Sequence, residues 1–472
     1  MNAVANARWV SISQASRIVA QLVSITVLAR VLPPQAYGLM AMAAVVTNFA
    51  YLFRDLGSGA ALIQAPQVSP QLATTLHWSN VAFGVLIAIA VAGFSPLIAQ
   101  IFREPELAPV LCLLALIFPL SSLGVVRQAL LERESRFALI AAVEIAAAVV
   151  GLLVALALAS LGAGVYSLVG QIVAATLVTT GALAWRSPFS PLLRWHWPEF
   201  KSIAGFSGNL SLFNVVLYLS RNADSAVIGR LLGSASLGVY SIAYRVMLFP
   251  VQNMSYVASR SLYPVMSRQQ DDLAGMAALY LKTIGFIAFL TAPLMAGLFV
   301  LREPFVLTIF GTRWQAAIPV LAWLAPVGFL QSIVSTTGTV FMARGRTDLM
   351  LYLGILATVL QVGAFVIGSR WGIEGVAACY LLANVFNALP ALYFSGCLLG
   401  ISLSALLRTL TLPVTGAGMM VIAVLLARQE MSESTLLTLL LMAALGVAVY
   451  AAASALLLRP QLGQLRLFLR GR

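Results

Sequence analysis

Charged residues are scarce in this chain. Asp, Glu, Lys and Arg make up 9% of its 472 residues, whereas soluble domains carry roughly one quarter. The hydrophobic fraction reaches 61%. A chain of this composition cannot bury its apolar side chains inside a water-soluble globule. We therefore expect an all-α integral membrane protein whose surroundings are the lipid bilayer.

Cysteine and histidine are also rare, which argues against several kinds of site. The three cysteines, Cys112, Cys379 and Cys397, lie within apolar runs and have no C-x-x-C spacing. The two histidines, His77 and His196, have no second His or Cys nearby, and we interpret both as residues at the membrane interface. The sequence therefore predicts no disulfide framework, metal, cofactor or catalytic residue.

Basic residues outnumber acidic ones by 28 to 15, which gives a net charge of +13. In a soluble protein this excess would indicate a nucleic-acid partner. Here most Lys and Arg residues stand between apolar runs, where they set the topology and contact anionic headgroups. We therefore expect lipid, and no nucleic acid, as the partner of these charges.

Fourteen apolar runs have the length of about 20 residues that crosses a bilayer as a helix. Their approximate limits are 9–29, 37–54, 78–101, 107–127, 138–160, 164–185, 204–231, 236–260, 280–301, 316–342, 349–370, 373–398, 405–427 and 435–458. With the N-terminus inside, the inner loops and tails carry 18 Lys and Arg residues, and the outer turns carry seven. This asymmetry predicts that both termini are cytoplasmic.

The chain also repeats itself. Residues 29–43 (ARVLPPQAYGLMAMA) align without a gap on residues 229–243 (GRLLGSASLGVYSIA), and Gly162 matches Gly372 at a slightly larger offset. Spans 1–6 and 7–12 are therefore predicted to be two pseudo-symmetric six-helix bundles around a central cavity. The predicted domains are an N-terminal bundle (1–185), an amphipathic cytoplasmic linker (186–203), a C-terminal bundle (204–398), and two additional helices with a basic tail (399–472).

One predicted hairpin, residues 220–245, places charge deep within apolar spans. Arg221 and Arg245 each stand 12 residues from Gly233, where the chain is expected to turn. At a helical rise of about 1.5 Å per residue, both guanidinium groups lie about 18 Å below the turn, near mid-bilayer. Charge at that depth costs roughly 2.5–3.5 kcal/mol per residue, so it is normally kept for a pathway or a binding cavity.

Polar residues also share one face of the first span, because Ser13, Arg17, Gln21 and Ser24 recur at helical spacing. The equivalent seventh span repeats this pattern, so both stripes are expected to line the shared cavity. The predicted cavity contains three cations, one carboxylate and several uncharged polar groups, which suits an anionic cargo such as a phosphate. Its residues are Arg17, Arg221, Arg245, Asp224, Gln21, Asn214, Tyr218, Asn222, Tyr240 and Tyr244.

Two acidic residues within spans allow alternative interpretations. Asp224 lies one turn from Arg221. It either forms a buried intrahelical ion pair with Arg221 that has only a structural role, or it weakens the attraction of the cationic site for its anion and takes part in proton coupling. Glu144 has no cation close to it in the sequence. It is either a proton-coupling residue or a protonated packing residue that bonds a neighbouring helix.

Three segments together resemble a known family: residues 29–43, residues 54–64 (RDLGSGAALIQ) and residues 220–245 (SRNADSAVIGRLLGSASLGVYSIAYR). They resemble the polysaccharide transporter branch of the multidrug/oligosaccharidyl-lipid/polysaccharide exporter superfamily, and are similar to lipopolysaccharide and exopolysaccharide flippases of the colanic acid exporter type. The resemblance implies a bacterial inner-membrane flippase for an undecaprenyl-pyrophosphate-linked oligosaccharide, working by alternating access and delivering its cargo to polymerisation machinery.

On this interpretation, the three arginines bind pyrophosphate and the uncharged polar residues of the cavity contact sugar hydroxyls. Two other classes of protein remain open alternatives. A cation-coupled multidrug exporter of the same superfamily would favour carboxylates in its cavity, whereas arginines predominate here. A membrane glycan polymerase or ligase would be expected to carry a long periplasmic loop, whereas the predicted outer turns are short.

Overall fold

A computed structural model describes residues 3–54, 59, 62–63, 68–192, 222–268, 272–430 and 435–470. This part of the chain is helical and contains no β-strand. Its α-helices are α1 (Ala3–Val31), α2 (Pro34–Tyr51), α3 (Pro70–Phe102), α4 (Leu107–Ala115), α5 (Ile117–Arg133), α6 (Phe137–Ser160), α7 (Val165–Arg186), α8 (Ala223–Arg268), α9 (Leu273–Ile309), α10 (Ala317–Val334), α11 (Thr337–Ala343), α12 (Thr347–Gly368), α13 (Gly372–Leu399), α14 (Leu403–Glu430) and α15 (Leu436–Arg470).

Helices coincide with every predicted span except the seventh, residues 204–231, which lies largely outside the described residues. Ten stretches of the described chain are long and apolar enough to cross a membrane. One of them, Thr347–Leu399, is 53 residues long and contains two helices, of 22 and 28 residues, that are each long enough to cross the membrane. The expectation of an all-α multi-pass membrane protein is therefore confirmed, while the total of fourteen spans stays a prediction.

Large apolar side chains cover the outside of these helices. On α3, Leu86, Ile89 and Phe94 are 61%, 65% and 60% exposed, and on α15 Leu437 is 67% exposed. Contiguous apolar surface of this kind is unfavourable in water, whereas the hydrocarbon of a bilayer accommodates it at no cost. These helix faces therefore lie against lipid.

The internal repeat extends to helix boundaries and turns. Helices α4 and α10 begin at positions 107 and 317, and α6 and α12 begin at positions 137 and 347, so both pairs differ by 210. Left-handed backbone recurs at the same offset, at Ser135 (φ 56°) and Gly345 (φ 65°), and at Gly162 (φ 77°) and Gly372 (φ 74°). The two copies therefore share their turn geometry as well as their hydrophobic pattern.

Two compact units make up the chain, residues 1–238 and residues 239–472. In the first unit, Leu76 and Val126 pack between α3 and α5 in a buried apolar cluster. In the second unit, Ile284 and Ile333 belong to a comparable cluster. The division after residue 238 coincides with none of the predicted domain limits, at 185, 203 and 398, and those limits stay predictions.

Helix α8 bends sharply at Gly233, whose backbone angles (φ 80°, ψ 178°) are not helical. A β-carbon placed on Gly229 would lie 3.2 Å from Leu237 Cδ2. In a straight helix these two residues would be about 12 Å apart along the axis. The turn predicted at this position is therefore confirmed, and glycine supplies the backbone conformation that it requires.

The third span begins earlier than predicted, at Pro70. Ser69 caps it, because its hydroxyl accepts a hydrogen bond from the backbone amide of Leu72 at 3.0 Å. Proline at the first helical position needs no hydrogen-bond acceptor for its nitrogen. These capping residues start the helix two turns before the apolar run becomes continuous.

The longer helix places His77 two turns inside it, and the interpretation of this residue as interfacial stays a prediction. His77 is 1% exposed, and its ring meets the edges of Trp78 and Phe189 at centroid distances of 5.4 and 5.8 Å. Trp78 Nε1 also donates to the Leu192 carbonyl at 2.8 Å. The beginning of the predicted linker is thus held against α3, whereas residues 193–203, including His196, lie outside the described residues.

Candidate functional site

The structure places one of the three predicted cations in full. Arg245 lies on α8 eleven residues after Ser234, about 16 Å along the helix axis, and its side chain is exposed. Arg17 lies within α1, but its side chain is outside the described residues, as are Arg221, Asn214 and Tyr218 altogether. Convergence of the three arginines on one cavity therefore stays a prediction.

Asp224 occupies the first turn of α8, two residues after the half-buried Asn222. Its side chain is 8% exposed, and Oδ1 accepts a hydrogen bond from the backbone amide of Ser225 at 2.6 Å. The first amides of a helix lack acceptors within the helix, and a carboxylate there is favoured by the helix dipole. Asp224 thus has a structural role at the helix start, in addition to the functional roles predicted for it.

The polar stripe of α1 does not face one environment along its whole length. Gln21 is exposed, as a cavity-lining residue would be. Ser24, one turn later, is buried, and its hydroxyl accepts a hydrogen bond from Gln171 Nε2 of α7 at 2.9 Å. The expectation that the whole stripe lines a cavity is therefore wrong at Ser24, which joins two helices of the first unit.

Glu144 lies half-buried on α6, between the buried residues Val143 and Ala147. This position fits both interpretations of its carboxyl group, proton coupling and packing, so both stay open. Within the residues that the structure describes, no three His, Cys, Asp or Glu side chains come together in a group that could hold a metal ion.

An aromatic cluster of four residues, Tyr240, Tyr244, Tyr380 and Phe365, forms in the second unit. Tyr240 and Tyr244 lie one turn apart on α8 and stack with ring centroids 5.7 Å apart. Tyr244 approaches Tyr380 of α13 at 6.3 Å, and Tyr380 packs on Phe365 of α12 at 5.1 Å. Two of the predicted cavity residues thus belong to a continuous row of rings that spans three helices.

Two amide side chains hold this cluster in place. Gln331 Nε2 of α10 donates to the Tyr380 hydroxyl at 2.7 Å and to Asn384 Oδ1 at 3.1 Å. Asn384 Nδ2 in turn donates to the Tyr380 carbonyl at 2.8 Å. Since Tyr380 and Asn384 are only 3% and 5% exposed, this amide network fixes the ring from the buried side. Tyr244 is half-buried and forms the accessible end of the cluster.

The chemistry of this site combines an aromatic surface with a cation. Aromatic rings pack against the C–H faces of sugars, while amides and hydroxyls bond their hydroxyl groups. Arg245 follows Tyr244 directly in the chain, and a guanidinium group pairs well with phosphate oxygens. This stretch of α8 therefore offers chemistry suited to a sugar and to a phosphate, on consecutive side chains that point in different directions around the helix.

Sequence reasoning did not identify Tyr380, Gln331 and Asn384, although the sequence contains a signal for them. Tyr380 and Asn384 stand four residues apart in an otherwise apolar span, and Gln331 interrupts another. The same criterion identified Arg17 and Gln21 in the first span. Applied to every span, it would have found the amide network, although not which helices are neighbours.

Replacing Gln331 by leucine is expected to destabilise the protein by about 1–3 kcal/mol, because Asn384 Oδ1 and the Tyr380 hydroxyl lose a buried donor. Thermal unfolding of the detergent-purified protein measures this change. Gln429→Leu, at an exposed position near the end of α14, is the matched control and should unfold like the wild type. Equal unfolding temperatures for the two variants would contradict a stabilising role of the network.

Several curated proteins are similar to this chain along most of its length. The lipopolysaccharide biosynthesis protein WzxC of Escherichia coli K12 is 29% identical over 390 residues, which is 82% of this chain and 79% of that protein. The teichuronic acid biosynthesis protein TuaB of Bacillus subtilis 168 is 27% identical over 95% of this chain and 94% of its own length. The succinoglycan biosynthesis transport protein ExoT of Rhizobium meliloti 1021 is 26% identical over 77% of this chain and 74% of its own length.

Two solved structures have the same fold. The lipid II flippase MurJ, in an inward closed conformation, superposes with a TM-score of 0.77 at 14% identity and covers 96% of this chain and 99% of its own. An inward-facing multidrug resistance transporter of the MATE family and MOP superfamily gives a TM-score of 0.60 at 18% identity, covering 86% of this chain and 99% of its own. Residues 27–319, more than half of the chain, match the profile of the polysaccharide biosynthesis protein family, and the chain therefore belongs to that family.

Proposed function

We propose that this protein is a flippase, which moves an undecaprenyl-pyrophosphate-linked oligosaccharide from the cytoplasmic to the periplasmic leaflet of the bacterial inner membrane. The observation that carries this proposal is the aromatic cluster, whose accessible end, Tyr244, is followed on α8 by the exposed Arg245. Membership of the polysaccharide biosynthesis family and similarity to a biosynthesis transport protein support it. The protein acts as a transporter and not as an enzyme, in the export of a lipopolysaccharide O-antigen, exopolysaccharide or capsule.

The physical task of the protein follows from the structure of the cargo. A pyrophosphate with attached sugars cannot cross hydrocarbon unaided, because its charges and hydroxyl groups would lose their hydration. The polyprenyl tail need never leave the hydrocarbon. Arg17, Arg221 and Arg245 bind the pyrophosphate, since the planar guanidinium group matches its oxygens. Gln21, Asn214, Tyr218, Asn222, Tyr240 and Tyr244 contact the sugars.

The transport cycle works by alternating access between the two faces of the membrane, as is common for transporters built from internal repeats. Binding stays moderate at both faces, because a cavity that holds the anion too tightly will not release it. Asp224 weakens the attraction of the arginines for the anion. Asp224 or Glu144 also couples the transport cycle to protons. Both termini are cytoplasmic, and the flipped cargo passes to the polysaccharide polymerisation machinery.

A cation-coupled multidrug exporter is the second candidate, because one structure with this fold is a multidrug resistance transporter. A carrier of organic cations is expected to neutralise them with carboxylates. The described rings next to Tyr244 are instead the tyrosines Tyr240 and Tyr380, amides hold Tyr380, and the exposed Arg245 follows on α8. These side chains favour a glycan carrying negative charge.

Leaflet accumulation of the lipid-linked oligosaccharide tests the proposed function. A strain that lacks this protein but still makes the lipid-linked repeat unit is complemented with the wild type, with Arg221→Ala, or with Arg370→Ala at matched membrane levels. Arg370 is exposed and belongs to a predicted outer turn, so its replacement serves as the control. We expect the intermediate to accumulate on the cytoplasmic side in the deletion strain and with Arg221→Ala, and to be cleared by the other two proteins.

Unpolymerised intermediate in the periplasmic leaflet of the deletion strain would overturn the flippase proposal and favour a glycan polymerase or ligase. Normal export, combined with hypersensitivity of the deletion strain to cationic drugs, would favour the multidrug exporter.

A further inference from the structure

Helix α15 follows the second copy of the repeat, and a specific hydrogen bond joins it to that copy. Pro293 lies inside α9 and has no amide hydrogen, so it leaves the Phe289 carbonyl without its usual donor in the helix. The Tyr450 hydroxyl of α15 donates to this carbonyl at 2.9 Å, and the two rings pack with centroids 5.3 Å apart. Since Tyr450 is buried, its hydroxyl supplies a bond that α9 lacks and that water cannot replace.

A second buried hydroxyl holds the same stretch of α9 to α10. Thr291 lies two residues before Pro293, and its hydroxyl oxygen is 2.9 Å from that of Ser332 on α10. Both side chains are fully buried, so this bond lies away from lipid and water. Tyr450 and Thr291 together therefore fix the proline-containing part of α9 between α15 and α10.

From α10 the contacts continue to the aromatic cluster. Gln331 directly precedes Ser332 and donates to the Tyr380 hydroxyl at 2.7 Å. Tyr380 in turn approaches Tyr244 with ring centroids 6.3 Å apart. A path of contacts within the second compact unit thus leads from α15 to the accessible end of the cluster. We call the five side chains on this path the support network: Tyr450, Thr291, Ser332, Gln331 and Tyr380.

Only the second copy of the repeat contains this network. Pro96 of α3 and Pro304 of α9 differ by 208 positions, and the later helices of the two copies differ by 210. At these offsets the equivalent residues of the first copy are Phe83 for Thr291, Val85 for Pro293 and Gly170 for Tyr380. Because equivalent helices form in the first copy without these residues, the network is not needed to form the helices. It occurs in the copy that contains the aromatic cluster.

We propose that Tyr450 and Thr291 are positioning residues for the aromatic cluster, and that the support network fixes the Tyr244 ring in the orientation that receives sugar. Both residues are buried, so neither contacts the cargo itself. A ring that is held in place before binding loses less conformational freedom when the sugar packs on it, which raises affinity. This inference rests on the proposed flippase function, since it gives α15 a part in recognising the glycan.

Equilibrium binding to the purified full-length protein in detergent tests this inference. The probe is the radiolabelled lipid-linked repeat unit isolated from the deletion strain. Tyr450→Phe removes only a hydroxyl, and Thr291→Val replaces a hydroxyl by a methyl group. We expect each to raise the Kd about threefold or more, as residues along a contact network do for a distant site. Tyr352→Phe, at an exposed position outside the network, is the matched control and should bind like the wild type. Thr291→Ser keeps the hydroxyl and should do the same.

Thermal unfolding of the same variants separates positioning from a loss of stability. Binding is measured at a temperature at which every variant is folded. A hydroxyl with only a structural role would then lower the unfolding temperature and leave the Kd unchanged. A wild-type Kd for both Tyr450→Phe and Thr291→Val would therefore overturn the inference, even if both proteins unfold at a lower temperature.

A double variant tests whether the two ends of the network are connected. Tyr450 and Gln331 share no bonding partner, so independent substitutions at these positions should multiply in their effects on the Kd. If Tyr450 acts through Gln331, Tyr450→Phe should weaken binding clearly less in a Gln331→Leu protein than in the wild type. Full multiplication of the two effects would show that they are independent and would overturn the network.

The wild-type protein separates the positioning role from the proposed function. If it does not bind the lipid-linked repeat unit under conditions in which a known flippase does, the flippase proposal fails, and the positioning role fails with it. If the wild type binds and the Tyr450→Phe and Thr291→Val proteins bind equally well, only the positioning role fails.

Discussion

Arg245→Ala is expected to reduce export of the lipid-linked oligosaccharide by about 100-fold. Charge-assisted hydrogen bonds from a guanidinium group to phosphate contribute roughly 1.5–3 kcal/mol each, so the loss of one bidentate pair accounts for a factor of this size. The rate of export in cells with matched membrane levels measures the effect. Arg245→Lys keeps the charge but not the planar pair of donors, and it should fall between alanine and the wild type.

The position of Arg245 gives this prediction its strength. It stands well inside a membrane-spanning helix, where charge is costly, and its side chain is nevertheless exposed. Arg370→Ala removes an exposed charge from a predicted outer turn and should leave export unchanged. Wild-type export by Arg245→Ala would exclude this arginine from the pyrophosphate site and leave Arg17 and Arg221 as the remaining candidates.

Most of the fold could be predicted from the sequence, because the requirement to span hydrocarbon leaves a strong signal. Apolar length alone placed the starts of α6 and α12 within two residues. The prediction was less accurate where other effects set the helix boundary. The third span begins at Pro70 because Ser69 caps it. The added turns contain polar residues such as His77, whose side chain is buried within the protein.

Helix breaks inside apolar runs were not predictable in the same way. The fourth span separates at Leu116 into α4 and α5, although neither glycine nor proline occupies that position. Leu116 keeps helix-like backbone angles, so the interruption is slight, and Pro119, which cannot donate to the Ala115 carbonyl one turn earlier, accounts for it. The break between α10 and α11, at Ser335 and Thr336, also keeps helix-like backbone angles and has no proline beside it.

The candidate site was predicted only where its residues are near one another in sequence. Tyr240 and Tyr244 lie four residues apart on one helix, and the structure stacks them. Tyr380 and Gln331 come from helices far along the chain, and hydropathy does not reveal which helices are neighbours.

Tyr380→Ala is expected to cost about 3–5 kcal/mol of stability, because the buried ring packs on both Tyr244 and Phe365. Tyr380→Phe keeps the ring and removes only the hydroxyl that Gln331 bonds, so its cost should be about 1 kcal/mol. Thermal unfolding of the purified protein measures both changes. Tyr352→Ala on α12, where the side chain is 67% exposed, is the matched control.

Comparison of stability with export decides what the aromatic cluster does. If Tyr380 positions Tyr244 as a surface for sugar, Tyr380→Phe should retain export, because the row of rings is intact. Tyr244→Ala should then reduce export more than it reduces stability, since Tyr244 is the half-buried end of the row and contributes less to the core. If export instead falls in proportion to unfolding in every variant, the cluster only stabilises the fold, and the sugar must be recognised elsewhere along α1 or α8.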